Sequence, residues 1–183
     1  MAEIERAKIN KILFIMMGGI GNMIFLTPAL KAIRDALPHS ELVFLLGPYG
    51  AEKVIENSPL FSKKFIVEQK TYKGLRGKIK LLQELREENF DLSLTSTGSN
   101  PIKSGLLCLL SGIKYRLGEN IKGRGVFYNL KIPFNSNLHE VESNIRLVER
   151  LGIHVQNKNL FIHTTKSDKQ FAEDIFSKKK LEG

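Results

Sequence analysis

Hydrophobic residues in this chain fall into short unbroken runs, separated by stretches in which they recur every three or four positions. Residues 11–17 are almost wholly apolar, the pattern of a strand covered on both faces. Gly18-Gly-Ile-Gly-Asn22 follows, and Leu26, Leu30, Ile33 and Leu37 then mark one helix face able to lie back on the strand. Pro38-His-Ser40 breaks that helix, and residues 41–46 read as a second buried strand. A short helix over 51–56, a third strand over 65–67 and a helix through Leu81, Leu82 and Leu85 come next. A fourth strand over 90–95 leads into the polar loop Ser96-Thr-Gly-Ser-Asn100. Pro101 suits the first turn of the following helix, which is apolar all round and therefore expected to be buried. Residues 114–118 and 128–132 read as strands, and 160–163 as a last one. Val141, Ile145, Val148 and Leu151 share a helix face that Gly152 ends, and Ser167 with Gln170 matches a capping box opening a final helix. Strands alternating with helices imply an α/β fold, a parallel sheet with helices on both faces. There is no internal repeat.

Length changes this picture little, since 183 residues usually make one domain. A hydrophobic content of 42% is ample for a core. Cys108, the one cysteine, rules out a disulfide within the chain, and its apolar neighbours make it a packing thiol. Glu3 and Glu5 stand where a secretory leader is basic, and no apolar run reaches the ~20 residues of a membrane span, so a soluble, cytoplasmic protein is expected. The net charge of +9 and a pI near 9.6 fit nucleic acid, an anionic membrane or a phosphorylated substrate equally well. Nucleic acid is disfavoured, because regular aromatic interleaving for base stacking is missing.

Chemistry is concentrated at the glycine turn. Glycines opening a helix let a ligand approach the backbone, and the helix start favours an anion or an oxygen acceptor. The turn is not a dinucleotide fingerprint, since Ile24 replaces the third glycine and no acid ends the second strand. Neither is it a Walker loop, which needs Gly-Lys-Ser/Thr. His39, His139, His154 and His163 lack metal-ligand spacing and are read as surface or capping residues; His139, at a helix start, is the one nearest to a role.

The run from Lys11 to Arg34 resembles the start of glycosyltransferase family 9, the lipopolysaccharide heptosyltransferases. Asn57-Ser-Pro-Leu-Phe61, Phe90-Asp-Leu92, Gly98-Ser-Asn-Pro-Ile-Lys-Ser-Gly-Leu-Leu107, Lys114-Tyr-Arg-Leu-Gly118, and His139-Glu-Val-Glu142 with Leu151-Gly152 agree with it in order. The resemblance implies a metal-independent, inverting sugar transfer without a cofactor on a GT-B scaffold. This chain would then be its Rossmann-like, N-terminal acceptor half, with residues 1–10 a charged lead-in, 11–165 the domain and 166–183 a helix starting the linker. A nucleotide-sugar donor, ADP-heptose-like, would bind a C-terminal domain absent here, so the chain alone is expected to be inactive. The acceptor, a glycan or glycolipid, would meet Gly18, Gly19, Gly21 and Asn22, with Thr97, Gly98, Ser99 and Asn100 beside them. Many members have aspartate as the proposed base where this chain has Asn22. An amide can orient the reacting hydroxyl but cannot take its proton near neutral pH. Either another residue is the base or the protein has become a non-catalytic domain that binds an anionic glycan or a partner chain. In this light the basic stretch with Lys73, Arg76 and Lys78 would face an anionic acceptor at the inner membrane.

Overall fold

The computed structural model describes residues 5–56, 58, 63–67 and 71–179. Asn57, the stretch 59–62, Lys70 and residues 180–183, on which parts of the reading above fall, lie outside the described residues. Six strands, β1 (Lys11–Met16), β2 (Glu41–Leu46), β3 (Lys63–Ile66), β4 (Leu92–Thr95), β5 (Tyr115–Asn120) and β6 (Leu130–Pro133), form one parallel sheet in the order β3-β2-β1-β4-β5-β6. The order reverses between β1 and β4, where Ile12 pairs with Leu92 and Ile15 with Thr95. A reversal of this kind opens a crevice at the carboxyl ends of the strands. The fold is α/β, as the alternating pattern implied, and Rossmann-like, as the resemblance implied.

Alternate residues of the central strands face opposite helix layers. Ile12, Phe14 and Met16 of β1 and Leu42, Phe44 and Leu46 of β2 pack against α1 (Ile20–Ala36), α2 (Glu52–Ile55) and α5 (Glu140–Glu149). Phe14 stacks on Phe44 with ring centroids 5.3 Å apart. On the other face, Leu13, Ile15, Val43 and Leu45 meet Leu81 and Leu85 of α3 (Gly74–Glu87) and Cys108 of α4 (Pro101–Leu110). Cys108 is fully buried, and burial pushes its thiol up to about 11, which suits packing rather than nucleophilic chemistry.

Several local expectations change. Residues 160–163 form no strand: the Phe161 amide donates to Thr27 Oγ1 of α1 at 3.2 Å, so this segment lies along a helix instead of the sheet edge. The last helix, α6 (Lys166–Lys179), is capped two residues earlier than expected. Asp168 Oδ2 accepts from the Thr165 amide and hydroxyl, and Thr165 Oγ1 accepts from the Asp168 amide. Part of the lead-in is ordered, with a 3-10 turn at Arg6–Lys8, a buried Ile9 and Arg6 Nη1 donating to Gly152 O at 2.9 Å.

The largest correction concerns α4. Its inner face carries Pro101, Ser104, Gly105 and Cys108, and Ile102, Leu106, Leu109 and Leu110 point outward. Small residues at i, i+3, i+4 and i+7 let the helix come close to the layer below it. A β-carbon on Gly105 would sit 3.0 Å from Phe127 Cβ and 3.2 Å from the Tyr128 ring. The helix therefore buries its smallest side chains, not its largest.

Candidate functional site

At the carboxyl end of β1 the chain turns through Gly18 and Gly19 into α1, and Asn22 in the first helical turn folds back over both glycines. Asn22 Oδ1 accepts from the Gly19 amide at 3.0 Å, an N-terminal cap made from inside the helix. That bond fixes which way the side-chain amide points. Its Nδ2 then donates to both carboxylate oxygens of Glu140, at 2.9 and 2.8 Å. Gly18 is required for this arrangement, because a β-carbon there would lie 2.3 Å from Asn22 Oδ1. Gly21 is exposed, and a β-carbon added to it would meet open space, so it leaves the approach to the helix start clear.

The loop after β4 closes against the same turn. Ser99, buried, accepts through Oγ from the Met17 amide at 3.2 Å. The Thr97 amide donates to Asn144 Oδ1 of α5 at 3.3 Å. Gly98 has φ +88°, in the left-handed region that glycine adopts without strain. Asn100 caps α4, its Oδ1 accepting from the Lys103 amide at 3.1 Å. The expected site residues of the two loops are thus brought together, with Ser99 and Asn100 committed to holding the loop in shape. Lys73, Arg76 and Lys78 are exposed on α3 and its N-cap, apart from this cluster.

Side chains that sequence reasoning did not select complete the site. They are Glu140, Asn144 and Arg146 of α5 and Glu119 of β5. The helix start that brings them in is capped by His139, whose Nδ1 accepts from the Val141 amide at 3.2 Å and whose ring meets Phe25 edge-on at 4.8 Å. Glu119 is 4% exposed, and neither of its carboxylate oxygens has a hydrogen-bond partner in the protein. Thr97 Oγ1, Asn144 Nδ2 and Arg146 Nη1 are likewise buried and unpaired. Burial pushes the Glu119 carboxyl above its ordinary range; the Arg146 guanidinium opposes this and the Glu140 charge adds to it. Each unpaired buried polar group costs about 1–3 kcal/mol. Donors and acceptors left in this state at a strand-end crevice suit a ligand offering both, as the hydroxyls of a sugar do. Among the described residues no cluster of three His, Cys, Asp or Glu side chains is placed to hold a metal ion. The groove of about 510 Å³ between the later turns of α1 and residues 152–157 contains none of the site residues.

No protein-family model and no curated protein matches the chain. Solved structures do. A glycosyl transferase family 9 protein from Veillonella parvula superposes with a TM-score of 0.78 at 18% identity, over 99% of this chain and 52% of that one. The E. coli ADP-heptose lipopolysaccharide heptosyltransferase II gives 0.69 at 20% identity, over 91% and 50%. The E. coli heptosyltransferase WaaC with ADP gives 0.66 at 18%, over 80% and 49%. At these identities the likeness establishes the fold, and the chain spans about half the length of each of these structures.

Proposed function

We propose that the chain is the acceptor-binding half of a family 9 glycosyltransferase, in which a sugar passes from a nucleotide-sugar to a lipopolysaccharide-type or other glycan acceptor. The fold shared with heptosyltransferases supports this reading. The observation that carries it is the carboxylate of Glu140, held against the glycine turn by the Asn22 amide. Asn22 spends its acceptor on Gly19 and its donors on Glu140, so it positions the carboxylate and does not itself take the proton.

Glu140 is then the proton acceptor. The acceptor hydroxyl gives its proton to Glu140 as its oxygen bonds to the anomeric carbon of the donor. The bond from that carbon to the diphosphate oxygen breaks, and its electron pair leaves on the diphosphate. The donor comes from a nucleotide-binding unit with ADP-heptose-like specificity. Glu119, Arg146, Asn144 and Thr97 bind the acceptor hydroxyls around the reacting one. A non-catalytic domain that binds an anionic glycan or a partner chain, the alternative that Asn22 leaves open, has less support once a carboxylate stands beside that amide.

Calorimetric titration of the chain with a lipopolysaccharide inner-core oligosaccharide tests the reading without needing a donor. Saturable binding is expected, weakened at least tenfold by Gly18→Ala, which drives a β-carbon into Asn22. Absence of binding by the wild-type chain would overturn it.

A further inference from the structure

The loop after β2, Gly47-Pro48-Tyr49-Gly50, lies against the glycine turn and plays no part in the proposed transfer. The Gly47 amide donates to Met16 O at 3.1 Å, which joins this loop to the end of β1. A β-carbon on Gly19 would stand 3.6 Å from Tyr49 O and 3.8 Å from Tyr49 Cβ, so the Tyr49 side chain starts beside that glycine. One edge of its ring runs over Gly47. A β-carbon there would lie 2.9 Å from Tyr49 Cδ2 and 3.0 Å from Met17 O, and a larger residue would push the ring away. Pro48 fixes one backbone angle of the loop, and Gly50, at φ +78°, turns the chain toward α2. The ring is thus held in place, yet Tyr49 is 63% exposed. Beside it Ile20, in the first turn of α1, is 47% exposed, with Cδ1 3.7 Å from a β-carbon built on Gly50.

Single apolar side chains are ordinary on a protein surface. This pair differs in its place. β1 has β2 on one side and β4, then β5, on the other. The loop after β2 therefore sets Tyr49 along one margin of the glycine turn. The loop after β4, the end of β5 and the start of α5 set Thr97, Glu119 and Asn144, with their unpaired polar atoms, along the opposite margin. A pyranose is divided in the same way, with hydroxyls around its rim and C–H groups on a ring face. The face of an aromatic ring carries partial negative charge and attracts such C–H groups. Tyrosine offers that contact at low entropic cost, having few side-chain torsions to fix.

We infer that Tyr49 is the stacking platform for an acceptor pyranose, its ring covering the C–H face of the sugar while the hydroxyls turn toward Thr97, Asn144 and Glu119. Ile20 widens the platform at the helix start. Tyr49 is a positioning residue: it holds the sugar over the glycine turn and takes no part in the proton transfer. The inference rests on the acceptor site proposed for this turn and names the kind of sugar surface that the site reads.

Calorimetric titration with the inner-core oligosaccharide tests it. Tyr49→Ala should weaken binding at least fivefold with the thermal midpoint unmoved, because the side chain is exposed. Tyr49→Phe keeps the ring and should bind within twofold of wild type. The chain has no tryptophan, so Tyr49→Trp supplies a single probe whose emission should shift to the blue on saturation. In proton NMR, C–H signals of one sugar residue should move upfield with wild type and stay in place with Tyr49→Ala. A loss below fivefold in Tyr49→Ala, or sugar signals that do not move with wild type, would overturn the inference and leave the acceptor site standing. Absence of binding by wild type would overturn both. Tyr49→Phe as weak as Tyr49→Ala would mean that the hydroxyl, not the ring face, makes the contact. Binding of ADP to the chain that Tyr49→Ala abolishes would assign the ring to a nucleobase. Either result also overturns the inference.

Discussion

The two edges of the sheet handle their polar groups in opposite ways. At the amino edge a group of charges is paired within the chain: Glu88 pairs with both Lys11 and Lys63, Lys11 also reaches Glu41, and Asp91 Oδ2 accepts from the Asn10 and Lys11 amides at 2.8 and 3.0 Å. At the carboxyl edge Glu119, Thr97, Asn144 and Arg146 hold buried polar atoms without protein partners. The Glu88 carboxylate of the first edge is paired by the chain itself, and the Glu119 carboxylate of the second is not. Stability and binding are thus assigned to opposite ends of the same strands.

The contrast has a pH signature of opposite sign at the two edges. At Glu88, burial alone would raise the carboxyl, but the hydrogen bonds and charges of Lys11 and Lys63 outweigh it and hold the carboxyl below its ordinary value of 4.5. A lowered carboxyl contributes stability that is present above the unfolded value and lost as pH falls through the folded one. Glu88→Gln is therefore expected to cost about 1–3 kcal/mol at pH 7, the largest of these effects, and less at pH 3, in chemical denaturation at the two pH values. Glu119 has the reverse sign. Its carboxyl is raised, so the folded chain binds more protons than the unfolded chain above 4.5, and stability falls as pH rises toward the folded value. Glu119→Gln should accordingly stabilise the protein by about 1 kcal/mol at pH 7 and change it little at pH 4, while weakening acceptor binding. A loss of stability at pH 7 would mean that Glu119 is paired within the fold and that the carboxyl edge is as complete as the other.

The elements most legible in the sequence were those covered on both sides. The continuous apolar runs of β1 and β2 have no competing reading, and their bounds at Lys11–Met16 and Glu41–Leu46 follow the pattern closely. β3, at the sheet edge, begins earlier than expected on Lys63 and Lys64, whose aliphatic stems and charged heads give no strand signal. In α4, hydrophobicity and burial part company, with Ile102, Leu106, Leu109 and Leu110 exposed. The informative pattern was the small residues at 101, 104, 105 and 108. The run at 160–163 reads as a strand in isolation, but a strand needs a neighbour, and a single sequence does not say that α1 takes that place.

At the site, the glycine turn and the loop after β4 were visible because glycines and short polar residues punctuate the pattern. Glu119 and Glu140 were not. Glu119 lies next to the end of β5 and Glu140 opens an amphipathic helix, positions where a carboxylate is ordinary; only the fold shows that both face the site. The expected strand stops at Gly118, whereas β5 runs on to Asn120 and carries Glu119 with it.

The most direct measurement is a double-mutant cycle between residues 22 and 140, read as binding of the inner-core oligosaccharide with the thermal midpoint followed alongside. Asn22→Asp places a second carboxylate 2.8–2.9 Å from the first, so binding and stability at pH 7 should both fall. Adding Glu140→Gln restores an amide facing a carboxylate with the roles exchanged, and both readings should recover most of the way to wild type. A double variant no better than Asn22→Asp alone would contradict the claim that the pair of Asn22 and Glu140 is the centre of the site.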